Sequence, residues 1–360
     1  MAQIAAVVTN GCDPDPRVIR EARWLVELGH EVTVYAFDRA QNLPSSEVVD
    51  GVSIQRIRVG DTPYGGTVRT WRGIRRFLKK VEQTIHGVDL IHFHDADALT
   101  LAPRIPGSLK LFDMHDLQHT WVRMPAPRSP MRKLISSRMK KGMLRRAKTV
   151  DAIITSSVGF SNWLDDHGLK STPVENRPKS KQHPPLPSPP TIGYFGKVRE
   201  IISFKLLFEA VSSLPDGHRP SIIIGGDGTE IENVKSLAEK FPQINVQFIG
   251  KFYHQQFPEI MSKISLMFAM YSPDRGNIAE GAIPSKMFES AAYGRPSIVN
   301  ANTPMGELCK SENLGTPVDW NDTQGLAKAI LELTGVEVEL QIDEERERER
   351  FTKVIERLRI

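Results

Sequence analysis

Five consecutive residues, Ile4-Ala5-Ala6-Val7-Val8, carry no polar side chain. A strand of this kind is stable only when both of its faces are covered, as in a parallel sheet packed between helices. Asn10-Gly11 ends the run. Beyond it Val18, Ala22, Leu25 and Leu28 recur at helical spacing as far as Gly29, a C-terminal cap, and Val32 to Ala36 reads as strand again. That is one βαβ unit, and it commits the chain to the α/β class. Further strand patterns lie at Val52 to Val59, Leu90 to Phe93, Leu109 to Phe112 and Ala152 to Thr155, most of them separated by helical stretches.

The alternation breaks between Arg177 and Pro190, where Pro178, Pro184, Pro185, Pro187, Pro189 and Pro190 remove ladder donors and favour an extended linker. It then restarts, with strands expected at Ile192 to Phe195, Ser221 to Ile224, Val246 to Ile249, Leu266 to Ala269 and Ser297 to Val299. A length of 360 residues suits two domains. The expected organisation is an N-terminal Rossmann-like domain over 1–176, a linker over 177–190, a second Rossmann-like domain over 191–336 and a charged, solvated terminal helix over 337–360.

No apolar run approaches the roughly 20 residues needed to cross a bilayer, and Met1 to Thr9 lacks the features of a signal peptide. Cys12 and Cys309 have neither metal nor redox spacing, which fits a reducing compartment. The expected location is therefore the cytoplasm. Charge is uneven: residues 1–175 hold 25 Lys and Arg against 19 Asp and Glu, whereas the remainder holds 22 against 24. The first half is the one suited to an anionic surface.

Several stretches can carry chemistry. Pro284-Ser285-Lys286-Met287-Phe288-Glu289 opens a helix that Gly294 closes, with Ser285 and Glu289 one turn apart. Such a helix start offers amides to a diphosphate, and a carboxylate one turn in accepts bonds from ribose hydroxyls; a capped surface helix has the same sequence. Gly225-Gly226-Asp227-Gly228 follows a strand, as a tight turn or a ligand loop does, and Gly196-Lys197-Val198-Arg199 puts two cations after another. Neither a dinucleotide fingerprint nor a Walker loop is present. His92 and His94 share a strand face ahead of Asp95 and Asp97, but no second cluster completes a metal shell, so no metal is expected. His115, in Asp113-Met114-His115-Asp116, ends a strand where a histidine can polarise a hydroxyl or serve as a hydrogen-bonded structural residue.

Taken together these stretches resemble the family 4, or group 1, retaining glycosyltransferases. The likeness runs from Asp15-Pro16-Arg17 through Gly29-His30-Glu31-Val32 and Asp113-Met114-His115-Asp116 to Ile192-Gly193-Tyr194-Phe195-Gly196, Gly225-Gly226-Asp227-Gly228 and Asn245-Val246 to Gly250. It ends on its most specific piece, Pro284-Ser285-Lys286, Phe288-Glu289 and Gly294-Arg295-Pro296. It implies the GT-B fold, two doubly wound domains facing each other across a cleft. It also implies Glu289 on the nucleotide ribose, Pro284, Ser285, Lys286, Gly226, Gly228 and Gly11 among the donor contacts, Lys197 and Arg199 on the diphosphate, and His115 beside the reacting sugar. Many members show two Glu separated by seven residues. Here the earlier position is Gly281, with Glu280 beside it, a possible sugar contact.

The resemblance implies transfer of a sugar from a UDP- or GDP-linked donor to a glycan or lipid-linked acceptor, with retention and without metal or other cofactor. The alternatives are a nucleotide-sugar 2-epimerase of the same fold and a non-catalytic nucleotide-sugar or membrane-binding protein. Two basic stretches suggest an anionic membrane as a further partner. In one, Met131, Leu134, Ile135, Met139 and Met143 lie among Arg132, Lys133, Arg138, Lys140, Lys141, Arg145, Arg146 and Lys148; in the other, Trp71, Ile74, Phe77 and Leu78 lie among the cations of 69–80. Packing of both stripes into the core is the alternative. No nucleic-acid-binding module accompanies them.

Overall fold

The apolar runs build two separate sheets. The structure, a computed structural model, describes all residues except Pro14, Gly66, Thr67, Met124, Pro125, Pro127 and Asp274, and the side chains of His254 and Ala279 also fall outside the description. The first sheet contains β1 (Gln3–Val8), β2 (Glu31–Phe37), β3 (Ser46–Val49), β4 (Val52–Ile57), β5 (Leu90–His94), β6 (Leu109–Met114), β7 (Ala152–Thr155) and β8 (Thr172–Pro173). Their spatial order is β3-β4-β2-β1-β5-β6-β7-β8, and every pairing is parallel except β3 with β4.

Burial of β1 on both faces follows from its composition. Ile4, Ala6 and Val8 join the cluster of Val18, Ala22, Trp24 and Leu25, while Ala5 and Val7 are fully buried as well. The helix Pro16–Glu27 supplies that cluster. Asp15 caps it by accepting from the Val18 N–H at 3.2 Å, Pro16 fills its first turn, and Gly29 takes the positive φ of +90° just beyond its end.

The second sheet contains β9 (Thr191–Phe195), β10 (Ser221–Gly225), β11 (Val246–Gly250), β12 (Leu266–Ala269), β13 (Ser297–Asn300) and β14 (Gly315–Val318). All are parallel, in the order β11-β10-β9-β12-β13-β14. This is the doubly wound dinucleotide-binding order, whose direction reverses between β9 and β12; in the first sheet it reverses between β1 and β5. The strands that sequence reading missed, β3, β8 and β14, lie at sheet edges. Pro317 sits in β14, where a missing N–H costs no ladder bond.

Chain contacts divide the molecule into Met1–Glu175 with Glu347–Ile360, and Asn176–Arg346. Two expectations therefore change. The proline-rich segment belongs to the second unit, strapped there by two arginine side chains. Arg295 donates to the carbonyls of Pro184 and Pro185 at 2.6 and 2.9 Å, and Arg177 forms a bidentate pair with Glu312 at 2.6 and 2.7 Å. The terminal helix, Glu344–Leu358, begins later than expected and is not merely solvated. Phe351, Val354 and Ile355 recur on one face and pack into the core of the first unit, with Phe351 5.5 Å from Trp24, while Val338 and Leu340 are buried in the second unit.

Phe351 is fully buried, so Phe351→Ala is expected to cost the first unit about 3–5 kcal/mol through lost burial and a residual cavity. Urea unfolding followed by Trp24 fluorescence checks this; an unchanged midpoint would mean that the helix is not part of that core.

Candidate functional site

In the first unit the carboxyl ends of β1, β5 and β6 meet the start of the helix Pro16–Glu27. Arg17, Val18, Glu21 and Ala22 lie on the buried face of that helix, so two ionisable residues one turn apart enter the layer that is apolar deeper down. The Arg17 guanidinium forks onto Asp113 at 2.6 and 2.8 Å and donates to the Val174 carbonyl at 2.7 Å; it also lies 3.0 Å from Glu21. His94 Nδ1 is 3.2 Å from Asp113 Oδ2, and His115 Nε2 is 2.5 Å from the same oxygen.

Burial penalises every charge here, and neighbours decide which charges survive. It would raise the pKa of Asp113, but Arg17 first and then His115 hold the carboxyl well below its ordinary value. Burial works against the His115 imidazolium, yet Asp113 and Asp95 outweigh it and raise its pKa to about 9. Glu21 has no such advantage: burial pushes it up to about 8 despite Arg17. Burial also keeps His92 and His94 neutral, with depressed pKa values.

His92 and His94 do share a face, as expected, but Asp95 and Asp97 do not join them. Asp95 accepts from the His115 backbone N–H at 3.1 Å, and Asp97 faces the charge of Arg39. Glu21 and Asp113 take their places, bringing ligand-type atoms of four residues within 4.8 Å of one another. Arg17 reaches both carboxyl groups of this set, 2.6 Å from Asp113 and 3.0 Å from Glu21. Sequence spacing could have flagged Arg17 and Glu21, since they share the helix's apolar face. Gly11 lies three residues beyond β1, and its carbonyl accepts from Arg56 Nε at 2.7 Å.

The other expected residues gather in the second unit at the carboxyl edge of β9, β10 and β12. Gly196 follows β9 with φ +140°, and its N–H donates to the Gly225 carbonyl at 3.0 Å. Gly226 and Gly228 have φ +121° and +156°, and a Cβ on them would stand 2.0 Å from the carbonyl oxygens of Gly196 and Val198 respectively. Close approach of the two loops thus accounts for both glycines. Lys197 pairs with Asp227, which also faces Lys251 at 3.4 Å, while Arg199 is exposed.

The helix at the motif spans only Lys286–Ala291. Ser285 precedes it in helical geometry without a side-chain cap bond, and Pro284 stands one residue earlier. Lys286 reaches back to the switch point, with its ammonium 3.7 Å from the Tyr194 ring centre and 5.3 Å from that of Tyr271. Burial, reinforced by Arg275, lowers its pKa to about 7 against the pull of Glu289 and Glu200. Glu289 is half-buried. Glu280 and Gly281 lie before the motif, with Gly281 at φ +124° and its N–H donating to Ile278 at 3.4 Å. Sequence reading missed Tyr194, Tyr271, Arg275 and Glu200, whose grouping depends on the β9 to β12 crossover. The motif's Arg295 is spent on holding the proline-rich segment.

Of the two basic stretches, Val68–Thr84 is partly a core helix: Phe77 and Leu78 are buried, and Phe77 stacks on Phe37 at 4.7 Å. The other, Pro130–Ala147, buries Met143 but leaves Met131, Leu134, Ile135 and Met139 exposed. Arg104 joins the two. It lines a hollow of about 400 Å³ with Arg75, Arg76, Lys79 and Glu82, and it opposes the charge of Arg146 together with Arg145. Among the described residues no helix is long and apolar enough to cross a membrane.

Two parallel doubly wound units, one with a loop-and-helix edge of this kind, define the GT-B fold of glycosyltransferases. Solved structures agree at full length. The sucrose-phosphate synthase of Thermosynechococcus elongatus is 16% identical, with a TM-score of 0.73 over 99% of this chain and 96% of that one. HepE of Anabaena in complex with UDP-glucose is 15% identical, with a TM-score of 0.69 over 99% and 100%. A lipopolysaccharide outer core galactosyltransferase, WaaB, is 14% identical, with a TM-score of 0.64 over 99% of each chain. Comparison with curated protein sequences gives no match. The model of Glycosyltransferase Family 4 matches residues 17–176 and that of Glycosyl transferases group 1 residues 176–351. The chain belongs to the family 4, group 1 glycosyltransferases.

Since a Cβ at Gly226 would overlap the Gly196 carbonyl at a φ that L-residues avoid, Gly226→Ala is expected to cost the second unit at least about 2 kcal/mol. A thermal-melt comparison with Ala238→Gly, a mild change at a helix end, checks it; equal shifts would show that the loops do not need this approach.

Proposed function

We propose that the protein transfers a sugar from a uridine or guanosine diphosphate sugar to a glycan or lipid-linked acceptor, with retention and without a metal ion. The observation that carries this reading is that the span matched by the group 1 model, 176–351, contains Gly226, Lys286 and Glu289, whose elements converge on the strand edge where doubly wound folds take nucleotides. HepE of Anabaena, solved with UDP-glucose, supports a uridine-linked donor.

In this scheme Glu289 accepts the ribose hydroxyls. Ser285 and the loop amides at Gly226 and Gly228 meet the diphosphate, and Lys197, Arg199 and Lys286 carry its charge as it leaves. The bond from the sugar's anomeric carbon to the diphosphate oxygen breaks, and the acceptor oxygen bonds to the same face while its proton passes to the departing phosphate. His115 of the first unit acts on this transfer and not on donor affinity. Glu280 or Gly281 meets the sugar, and Gly11 belongs with the donor contacts. The reading places the reaction in the cytoplasm, as a step in polysaccharide or glycolipid assembly.

Calorimetry with UDP and GDP is expected to show binding that survives a chelator. Glu289→Gln should weaken it at least about tenfold, and Glu280→Gln by less, because an anionic acceptor holds hydroxyls more strongly than an amide. Absence of binding, strict metal dependence or equal losses would overturn the scheme. Donor turnover that yields an epimer without any acceptor would replace it with a 2-epimerase.

The basic face suits an anionic membrane carrying the acceptor. Exposed Met131, Leu134 and Ile135 stand among cations that the fold unites through Arg104, and each cation near an anionic surface contributes about 1 kcal/mol. Flotation with phosphatidylglycerol vesicles is expected to recover the protein at low salt and lose it at high salt. Recovery should fall in Leu134→Ser with Lys141→Ser. Equal recovery with neutral vesicles would remove the membrane from the proposal.

A further inference from the structure

His115 is gripped from several sides. Its backbone N–H donates to Asp95 Oδ1 at 3.1 Å, and its carbonyl accepts from the Ser156 hydroxyl at 2.7 Å. On the ring, Nε2 lies 2.5 Å from Asp113 Oδ2 and 3.1 Å from His94 Nδ1. The other nitrogen, Nδ1, is 3.8 Å from Asp95 Oδ2, beyond hydrogen-bond range. The ring is therefore anchored through Nε2, and Nδ1 is the position left to meet a substrate oxygen.

The anchor is itself rigid. The Arg17 fork fixes Asp113, with both of its carboxylate oxygens engaged, and the Val174 carbonyl fixes Arg17. Side-chain exposure is 6% for Arg17, 0% for Asp113 and 1% for His94, against 18% for His115. A cluster so enclosed cannot adjust by rotating toward water, so one arrangement of protons is favoured. With the proton on His115 Nε2, Asp113 Oδ2 accepts from it, while His94 Nδ1 lies 3.2 Å from the same oxygen and 3.1 Å from Nε2. Were Nε2 bare, its lone pair would face that of the carboxylate oxygen.

We propose that Asp113 and His94 are positioning residues for sugar transfer: they hold the His115 ring by its Nε2–H, and the Asp113 carboxylate favours the imidazolium, in which the outward Nδ1 also carries a proton and meets the reacting sugar as a donor. This rests on the assignment of His115 to the transfer reaction. The groups facing the His115 ring are Asp113 on β6, His92 and His94 on β5, Asp95 just after β5, and Arg17 and Glu21 on the first helix; Asp116 follows in the chain. Asp113 and Asp95 favour the imidazolium, and Arg17 opposes it.

The test is a pH titration by NMR of full-length protein labelled in the histidine rings, with His115→Gln assigning the resonance. No donor or acceptor is needed, so the outcome does not depend on the proposed activity. The His115 midpoint is expected well above that of free histidine, and Asp113→Asn should lower it by two pH units or more. A midpoint near the free value, or one unmoved by Asp113→Asn, overturns the proposal. Because Asp113→Asn can unfold the protein by stranding Arg17, His94 supplies the second arm. His94→Leu should lower kcat at least tenfold with the donor KM held within twofold, and His94→Gln, which keeps a hydrogen-bonding group, should restore most of the loss. Equal kcat in all three proteins, or a loss confined to KM, overturns it. Failure of the wild type to transfer any sugar would strike the function, while the titration would still decide how His115 is held.

Discussion

Both sheets are covered on both faces, and this one constraint decides where chemistry can reside. A strand such as Ile4 to Val8 has no solvent side, so polar groups have room only past its ends. At the carboxyl end the first helix begins, its unpaired amides and the strands' last residues meeting in one place. The first unit puts Arg17, Glu21, His94, Asp113 and His115 there; the second puts its glycine loops, Tyr271 and Lys286 there. Neither group is scattered through the fold, because burial elsewhere leaves them no partners.

In the first unit, burial sets a limit on how much charge the layer can hold. A buried carboxylate without a cation costs several kcal/mol, and a buried pair survives only with good geometry and satisfied hydrogen bonds. Asp113 meets both conditions, with Arg17 on one side and His115 on the other. Glu21, although 3.0 Å from Arg17, competes for a guanidinium already committed to Asp113 and keeps its proton to about pH 8. The cluster therefore holds one firmly ionised carboxylate where its composition suggests two. The apolar layer beneath, Trp24, Leu25 and Phe351 among it, keeps water from relieving the competition.

Much of this was legible in the sequence, and for a definite reason. Strands buried on both faces leave uninterrupted apolar runs, and capped helices leave Asp15-Pro16 or Gly29. The edge strands β3, β8 and β14 were not legible, since they are short or carry Pro317 and so lack that signature. The terminal helix was read as solvated because its run of alternating charges hides Phe351, Val354 and Ile355 at helical spacing. Candidate residues could be named where they stand within one short stretch of sequence, as with His115, Gly226 and Glu289. They could not be where side chains from distant strands converge: Arg17 with Asp113, or Lys286 with Tyr194 and Tyr271, are products of the crossover order.

The short helix at Lys286–Ala291 bears on how the proposed donor site would hold an anion. Six residues align few peptide dipoles, and the benefit of a helix N-terminus to an anion falls off within a turn. In the proposed scheme, compensation of the diphosphate then falls to side chains. Lys197 is already engaged by Asp227, and that pair sits in solvent, where screening makes its charge cheap to redirect. Lys286 differs, since burial, reinforced by the charge of Arg275, lowers its pKa to about 7. An anion brought beside it favours the charged form by the same Coulomb term that pairs Asp113 with Arg17. The lysine is thus held by the rings in a setting that penalises its charge until a counter-charge arrives, and in which a nearby anion gains more than it would from a solvated cation.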